Sequence, residues 1–303
     1  MRGTAILRRL PAVAGYLLYA VLVLGLLLYL RFPGETVRTW MEQRFNTAQS
    51  RLQCTIGHLA PTWTGGLQFS DIRFKTTGSD GVSLMKIDSL LLRPRYLRLA
   101  TGGERIVTFR CRAHGGKATG WIRQRKDASP PELKGDFHDI ALESFRGLGS
   151  RMKRKFNGSL SGKVTLTGRP GGISDVAGKA DITIDNGGIE LQRPLFGLGA
   201  IDFNSLTSRL KIEGGKVLIV DGKIDSRLFL GLFSGEVHPA GQLRLTSLLI
   251  DGTLEPRPEL FTGLADKQEV DVIRGQLRDG KLPFSISGTL LEPGITFATG
   301  SGG

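Results

Sequence analysis

The chain has 303 residues and a mass of 32.9 kDa, with 40% hydrophobic and 23% charged residues, a composition that excludes a disordered tail or a fibre. Its 42 glycines lack collagen spacing, so they punctuate turns and strand breaks. The net charge of +13 is uneven: residues 93–155 hold 16 Lys and Arg against 6 Asp and Glu, a stretch open to nucleic acid, anionic lipid or an acidic partner, or simply to solvent.

Leu10 to Leu30 carries no charged side chain, and as a helix its 21 residues span roughly 31 Å, the thickness of a hydrocarbon core. Tyr16, Tyr19 and Tyr29 lie where amphipathic rings favour the interface. No small-x-small cleavage pattern follows, since the run ends Tyr29-Leu-Arg-Phe-Pro33, so an uncleaved anchor is expected rather than a signal peptide. Arg2, Arg8 and Arg9 precede the run without an acid, whereas Arg31 and Arg38 follow it beside Glu35. The positive-inside preference predicts a cytoplasmic N-terminus and a body beyond the membrane: in a bacterium, an inner-membrane protein with one pass and a periplasmic domain.

Pro33 suits a first helical turn, and Val37, Trp40, Met41, Phe45, Ala48 and Leu52 recur at helical spacing. This predicts a juxtamembrane amphipathic helix over 32–52, packed on the following domain or lying on lipid. Residues 1–31 then form the tail and anchor, and 53–303 a β-rich domain.

Within that domain the period becomes two. Ala180, Ile182 and Ile184 alternate with Lys179, Asp181, Thr183 and Asp185, and Asn186-Gly187 predicts a tight hairpin turn. Leu210 and Ile212, Gly214-Gly215, then Val217 and Ile219 predict a second hairpin. Leu243 and Leu245, Leu248 and Ile250, and Phe284 and Ile286 predict further strands with one apolar face. Asp127 to Pro131 reads as a linker. Leu142, Phe145, Leu148 and Met152 predict a basic amphipathic helix ending in Arg151, Lys153, Arg154 and Lys155, a helical insertion near 132–156 able to meet an acidic surface. A polar helix is also expected over 258–272. The class is therefore mainly β: a transmembrane helix, a long curved antiparallel sheet and one or two short amphipathic helices.

The order of these blocks resembles a known family. Ile56-Gly-His-Leu-Ala-Pro-Thr-Trp-Thr-Gly-Gly-Leu-Gln-Phe-Ser-Asp-Ile-Arg-Phe74, behind an anchor and Phe32-Pro33, looks like the start of the type II secretion system protein N (GspN) family. Gly158 to Gly168, Gly241 to Leu254 and Phe284 to Phe297 fit the same family and are similar to the wider AsmA-like proteins. That resemblance implies an open trough of sheet able to carry lipid, and an inner-membrane component or accessory scaffold of the type II secretion system contacting other subunits. It supplies no catalytic residues.

Chemistry is not found. His58, His114, His138 and His238 have no second ligand at metal-site spacing. Gly172 to Ala180 misses a phosphate loop by one residue and lacks its hydroxyl, and Gly158-Ser-Leu-Ser-Gly162 has leucine where a nucleophilic serine would stand. No enzyme, metal or cofactor is expected, and nucleic acid is not expected as a partner because no reader motif surrounds Trp121 and Phe137. Cys54 and Cys111 are the only cysteines, and a disulfide between them stays open at this stage. Two readings remain: a scaffold binding secretion-system subunits, or a phospholipid-binding groove lined by Ala180, Ile182, Ile184, Leu210, Ile212, Val217, Ile219, Leu243, Leu245, Phe284 and Ile286.

Overall fold

The computed structural model describes residues 10–48, 52–76, 83–96, 104–127, 129–144, 155–169, 173–195, 198–240, 245–263 and 274–297. Helix α1 (Leu10–Leu30) is followed by α2 (Gly34–Ala48) and then by fourteen strands in one antiparallel sheet, each paired with its neighbours in sequence. The strands are β1 (Leu52–Pro61), β2 (Leu67–Thr76), β3 (Ser83–Pro94), β4 (Arg105–Ala113), β5 (Gly116–Gln124), β6 (Glu132–Ala141) and β7 (Phe156–Gly168). They continue as β8 (Val176–Leu195), β9 (Leu198–Glu213), β10 (Lys216–Asp225), β11 (Phe229–His238), β12 (Ser247–Pro256), β13 (Leu282–Thr289) and β14 (Pro293–Phe297). No pairing joins β14 to β1 among the described residues, so the sheet is open.

The 21-residue helix α1 is apolar throughout, and its described large side chains point outward: Leu22 is 64% exposed, Leu30 69%. The side chains of residues 10–14, 18, 21 and 28 lie outside the description. Among the described residues, no helix is long and apolar enough to cross a membrane.

Helix α2 packs on the first strands, one of the two placements its stripe left open. Val37, Met41 and Phe45, with Phe32, cover a cluster of Cys54, Ile56, Leu59, Phe69 and Ile72. Partial burial of each is worth on the order of 1 kcal/mol. Trp40, counted in the same stripe from spacing, is instead 61% exposed.

The polar side of α2 closes the outer edge of β1. Asn46 Oδ1 accepts from the Cys54 N–H at 2.7 Å, and its Nδ2 donates to the Cys54 carbonyl at 3.3 Å. One turn earlier Glu42 Oε1 accepts from the Ile56 N–H at 2.6 Å, and Arg38 Nη1 donates to the Ile56 carbonyl at 3.0 Å. These three side chains, spaced four apart, replace the strand that an edge would otherwise recruit.

Two hairpin expectations part company. Gly214 and Gly215, with φ of 58° and 79°, make the two-residue turn between β9 and β10, where Glu213 pairs with Lys216. Asn186-Gly187 makes no turn, for β8 runs on to Leu195. Asn186 has φ 49°, and the β7 pairing slips there by one residue, from Ser159–Asp185 to Asn157–Gly188. The left-handed residue builds a bulge inside a long strand.

The helical insertion near 132–156 is also corrected at its start. Glu132–Ala141 is strand β6, paired on both sides, followed by a single 3-10 turn at Leu142–Ser144. Residues 145–154 lie outside the described residues. The helix expected over 258–272 is described only as α3 (Pro258–Gly263), with 264–273 outside the description.

Candidate functional site

Register carries one row of residues from edge to edge. Pro61 pairs with Leu67, Leu67 with Leu92, Leu92 with Phe109, Phe109 with Gly120, Gly120 with Gly135, and Gly135 with Val164. Val164 then pairs with Ala180, and the row continues through Leu210, Ile219, Gly235, Ile250 and Ile286 to Ile295. Fourteen strands contribute fourteen apolar residues or glycines and no polar side chain. Thirteen interstrand steps make this row about 60 Å long.

The adjacent row belongs to the other face. Gln68, Leu91, Arg110, Thr119, Asp136, Lys163, Asp181, Arg209 and Asp221 follow one another by the same pairing. Arg209 bridges its two neighbours, with Nε 3.6 Å from Asp181 and Nη1 3.3 Å from Asp221. Lys216 holds Glu236 at 3.1 Å on the same face, and keeps that carboxyl below its usual range. The two faces thus differ: the apolar row has no polar side chain, while its neighbour on the other face is mostly charged or polar.

The apolar face is not smooth aliphatic packing alone. Phenylalanines stand beside glycines: Phe109 by Gly120, Phe137 by Gly162, Phe203 by Gly187, Phe233 by Gly222 and Phe284 by Gly252. A Cβ at Gly120 would lie 2.7 Å from the Phe109 ring and one at Gly162 2.8 Å from that of Phe137. Each ring therefore lies over its neighbour's bare backbone, lowering the surface to a shallow relief.

Most of the residues expected to line a groove are gathered here. Ala180, Ile182 and Ile184 on β8, Leu210 and Ile212 on β9, Val217 and Ile219 on β10, and Phe284 and Ile286 on β13 all share this face, and all but the buried Ala180 are half-buried. Leu245 does not belong to it: it precedes β12 in a short turn and is 66% exposed. Leu243 lies outside the described residues. Spacing missed the β1–β7 half of the face; in β5, β6 and β7 glycines at 116, 120, 135 and 162 interrupt the apolar alternation.

Among the described residues, α2 is the one long helix packed against the sheet, and its cluster reaches only β1–β3. Beyond β3 the described residues supply no further long helix, only the six-residue α3, whose Leu260 is buried.

The other expected sites fare differently. Cys54 on β1 and Cys111 on β4 are free thiols. Two strands separate theirs, about 14 Å of sheet, twice what a disulfide can bridge. Burial in the apolar face pushes both thiols above their ordinary range, with Glu42 adding to the rise at Cys54 and Asp88 at Cys111. Arg151, Lys153 and Arg154 lie outside the described residues. Lys155 is exposed just before β7, its backbone tied to Glu190. No cluster of His, Cys, Asp and Glu able to hold a metal occurs among the described residues.

Comparison of the chain with family models, curated proteins and solved structures finds no match.

Proposed function

We propose that this protein is a membrane-anchored lipid-handling protein, in which α1 crosses a bilayer and the open apolar face of the sheet receives phospholipid acyl chains. The observation that carries this reading is the single apolar row crossing all fourteen strands while no described layer covers most of it. A surface of that size is unfavourable in water and demands a greasy occupant. Acyl chains suit it chemically, since the face offers aliphatic and aromatic contact with no polar side chain along the central row. Transfer from bilayer to sheet exchanges one hydrocarbon surrounding for another, so the affinity stays modest and a bound lipid can move on. The anchor reading is supported by 21 uncharged residues, most of whose described side chains are exposed, and the flanking arginines favour a body outside the cytoplasm, on the periplasmic side of a bacterial inner membrane.

The alternative is a scaffold of the type II secretion system. One feature favours it beside the family resemblance: α2 blocks the edge at β1, whereas β14 is the last described strand of the sheet, and its outer side can add a strand from another subunit.

Native mass spectrometry of the full chain released from membranes separates the two. The lipid reading predicts copurified phospholipid on the parent, lost in Ile182→Asp and Ile219→Asp variants whose far-UV circular dichroism is unchanged. A lipid-free parent, or collapse of both variants, leaves the scaffold.

A further inference from the structure

Tyr29 lies one residue from the end of α1, and its ring stacks on Trp63 with centroids 4.5 Å apart. Trp63 sits in the turn between β1 and β2 and is still 79% exposed. The same turn is held from its other side by Tyr96, whose hydroxyl donates to the Gly65 carbonyl and whose ring is 54% exposed. Gly65 has φ 74°, and a Cβ there would meet the Tyr96 ring at 2.9 Å, so glycine is required for this fit. Three aromatic rings with polar edges therefore gather where the apolar helix ends.

Cations surround them. Arg31 follows α1, and Arg93 and Arg95 flank Pro94 just before Tyr96; all three are exposed, and no carboxylate pairs with them among the described residues. The nearest acid in sequence, Glu35, is engaged by Arg38 at 2.6 Å. Exposed tryptophan and tyrosine with unpaired arginine at the end of an uncharged helix is the chemistry of a bilayer interface.

We infer that this corner of the sheet is a membrane foot, with Trp63 and Tyr96 seated in the bilayer interface and Arg31, Arg93 and Arg95 on anionic phospholipid headgroups. The inference rests on α1 being the anchor. It adds that the β domain is clamped against the membrane at its first turn rather than tethered loosely, with the start of the apolar face at Pro61 and Leu67 held beside the bilayer.

The test uses the full chain with Trp40→Phe and Trp121→Phe, which leaves Trp63 as the single tryptophan. It is reconstituted into vesicles of mixed zwitterionic and anionic phospholipid, with and without lipid brominated near the headgroup end of its chains. Retention after an alkaline carbonate wash establishes the anchor independently. Trp63 emission should be blue-shifted and quenched by the brominated lipid, and quenching should fall by about half or more with Arg93→Gln and Arg95→Gln or in purely zwitterionic vesicles. A carbonate-resistant chain whose Trp63 is quenched by aqueous acrylamide and untouched by brominated lipid overturns the foot while sparing the anchor. Release by carbonate overturns the anchor and the foot together.

Discussion

At the scale of single residues, the determinants are small side chains opposite large ones. Gly222 would direct a Cβ into the Phe233 ring, with no other group among its nearest neighbours. Gly222→Ala should therefore lower stability by about 1–3 kcal/mol through overpacking. The double variant with Phe233→Leu should recover part of that loss, a coupling readable from denaturant midpoints. The thiols give a second residue-level expectation. Cys54 and Cys111 are free, and burial raises both, so the reactive thiolate is scarce near neutral pH and grows only as pH climbs past the ordinary cysteine range. Ellman titration of the native chain at pH 8 should be slow, with two thiols appearing promptly in denaturant. A mobility shift between reduced and non-reduced samples would contradict the unbonded pair.

Elements show which sequence signals could be trusted. Alternation located β8, β9 and β10 because Lys179–Asp185, Leu210–Ile212 and Val217–Ile219 keep a two-residue period, and Gly214-Gly215 fixed a turn because both positions have positive φ. Asn186-Gly187 has the same local chemistry but sits midway through a strand whose neighbours pair on both sides beyond it, so tertiary pairing converted a turn signal into a bulge. Strand β6 was hidden because Gly135 falls in its middle and a bulge after Phe137 puts Ile140 out of step with Leu133 and Phe137. Helix α2 was legible in its apolar stripe, yet the role of its polar face was not, since Arg38, Glu42 and Asn46 read as ordinary solvent-facing residues. Asn46→Ala should cost about 1–3 kcal/mol by stranding the Cys54 backbone donor and acceptor. It should also expose the β1 edge, seen as concentration-dependent association in analytical ultracentrifugation, which a substitution at the exposed Trp40 should not produce.

On the scale of the whole molecule, fourteen strands in sequence order make a sheet whose extent is set by register rather than by any one motif. That is why its apolar row was only partly visible beforehand: Ala180, Leu210, Ile219 and Ile286 announced themselves, but their alignment across Gly235 and Ile250 exists only in the pairing. The central claim is that this row contacts acyl chains. Ile182 and Thr183 are neighbours on opposite faces of β8, and they allow the claim to be tested within one strand. A photo-crosslinking benzoylphenylalanine placed at either position, in cells whose phospholipids carry radiolabelled phosphate, reports what each face touches. The account predicts labelled lipid attached from position 182 and none from 183. Equal labelling from both positions, or none from 182, would contradict it.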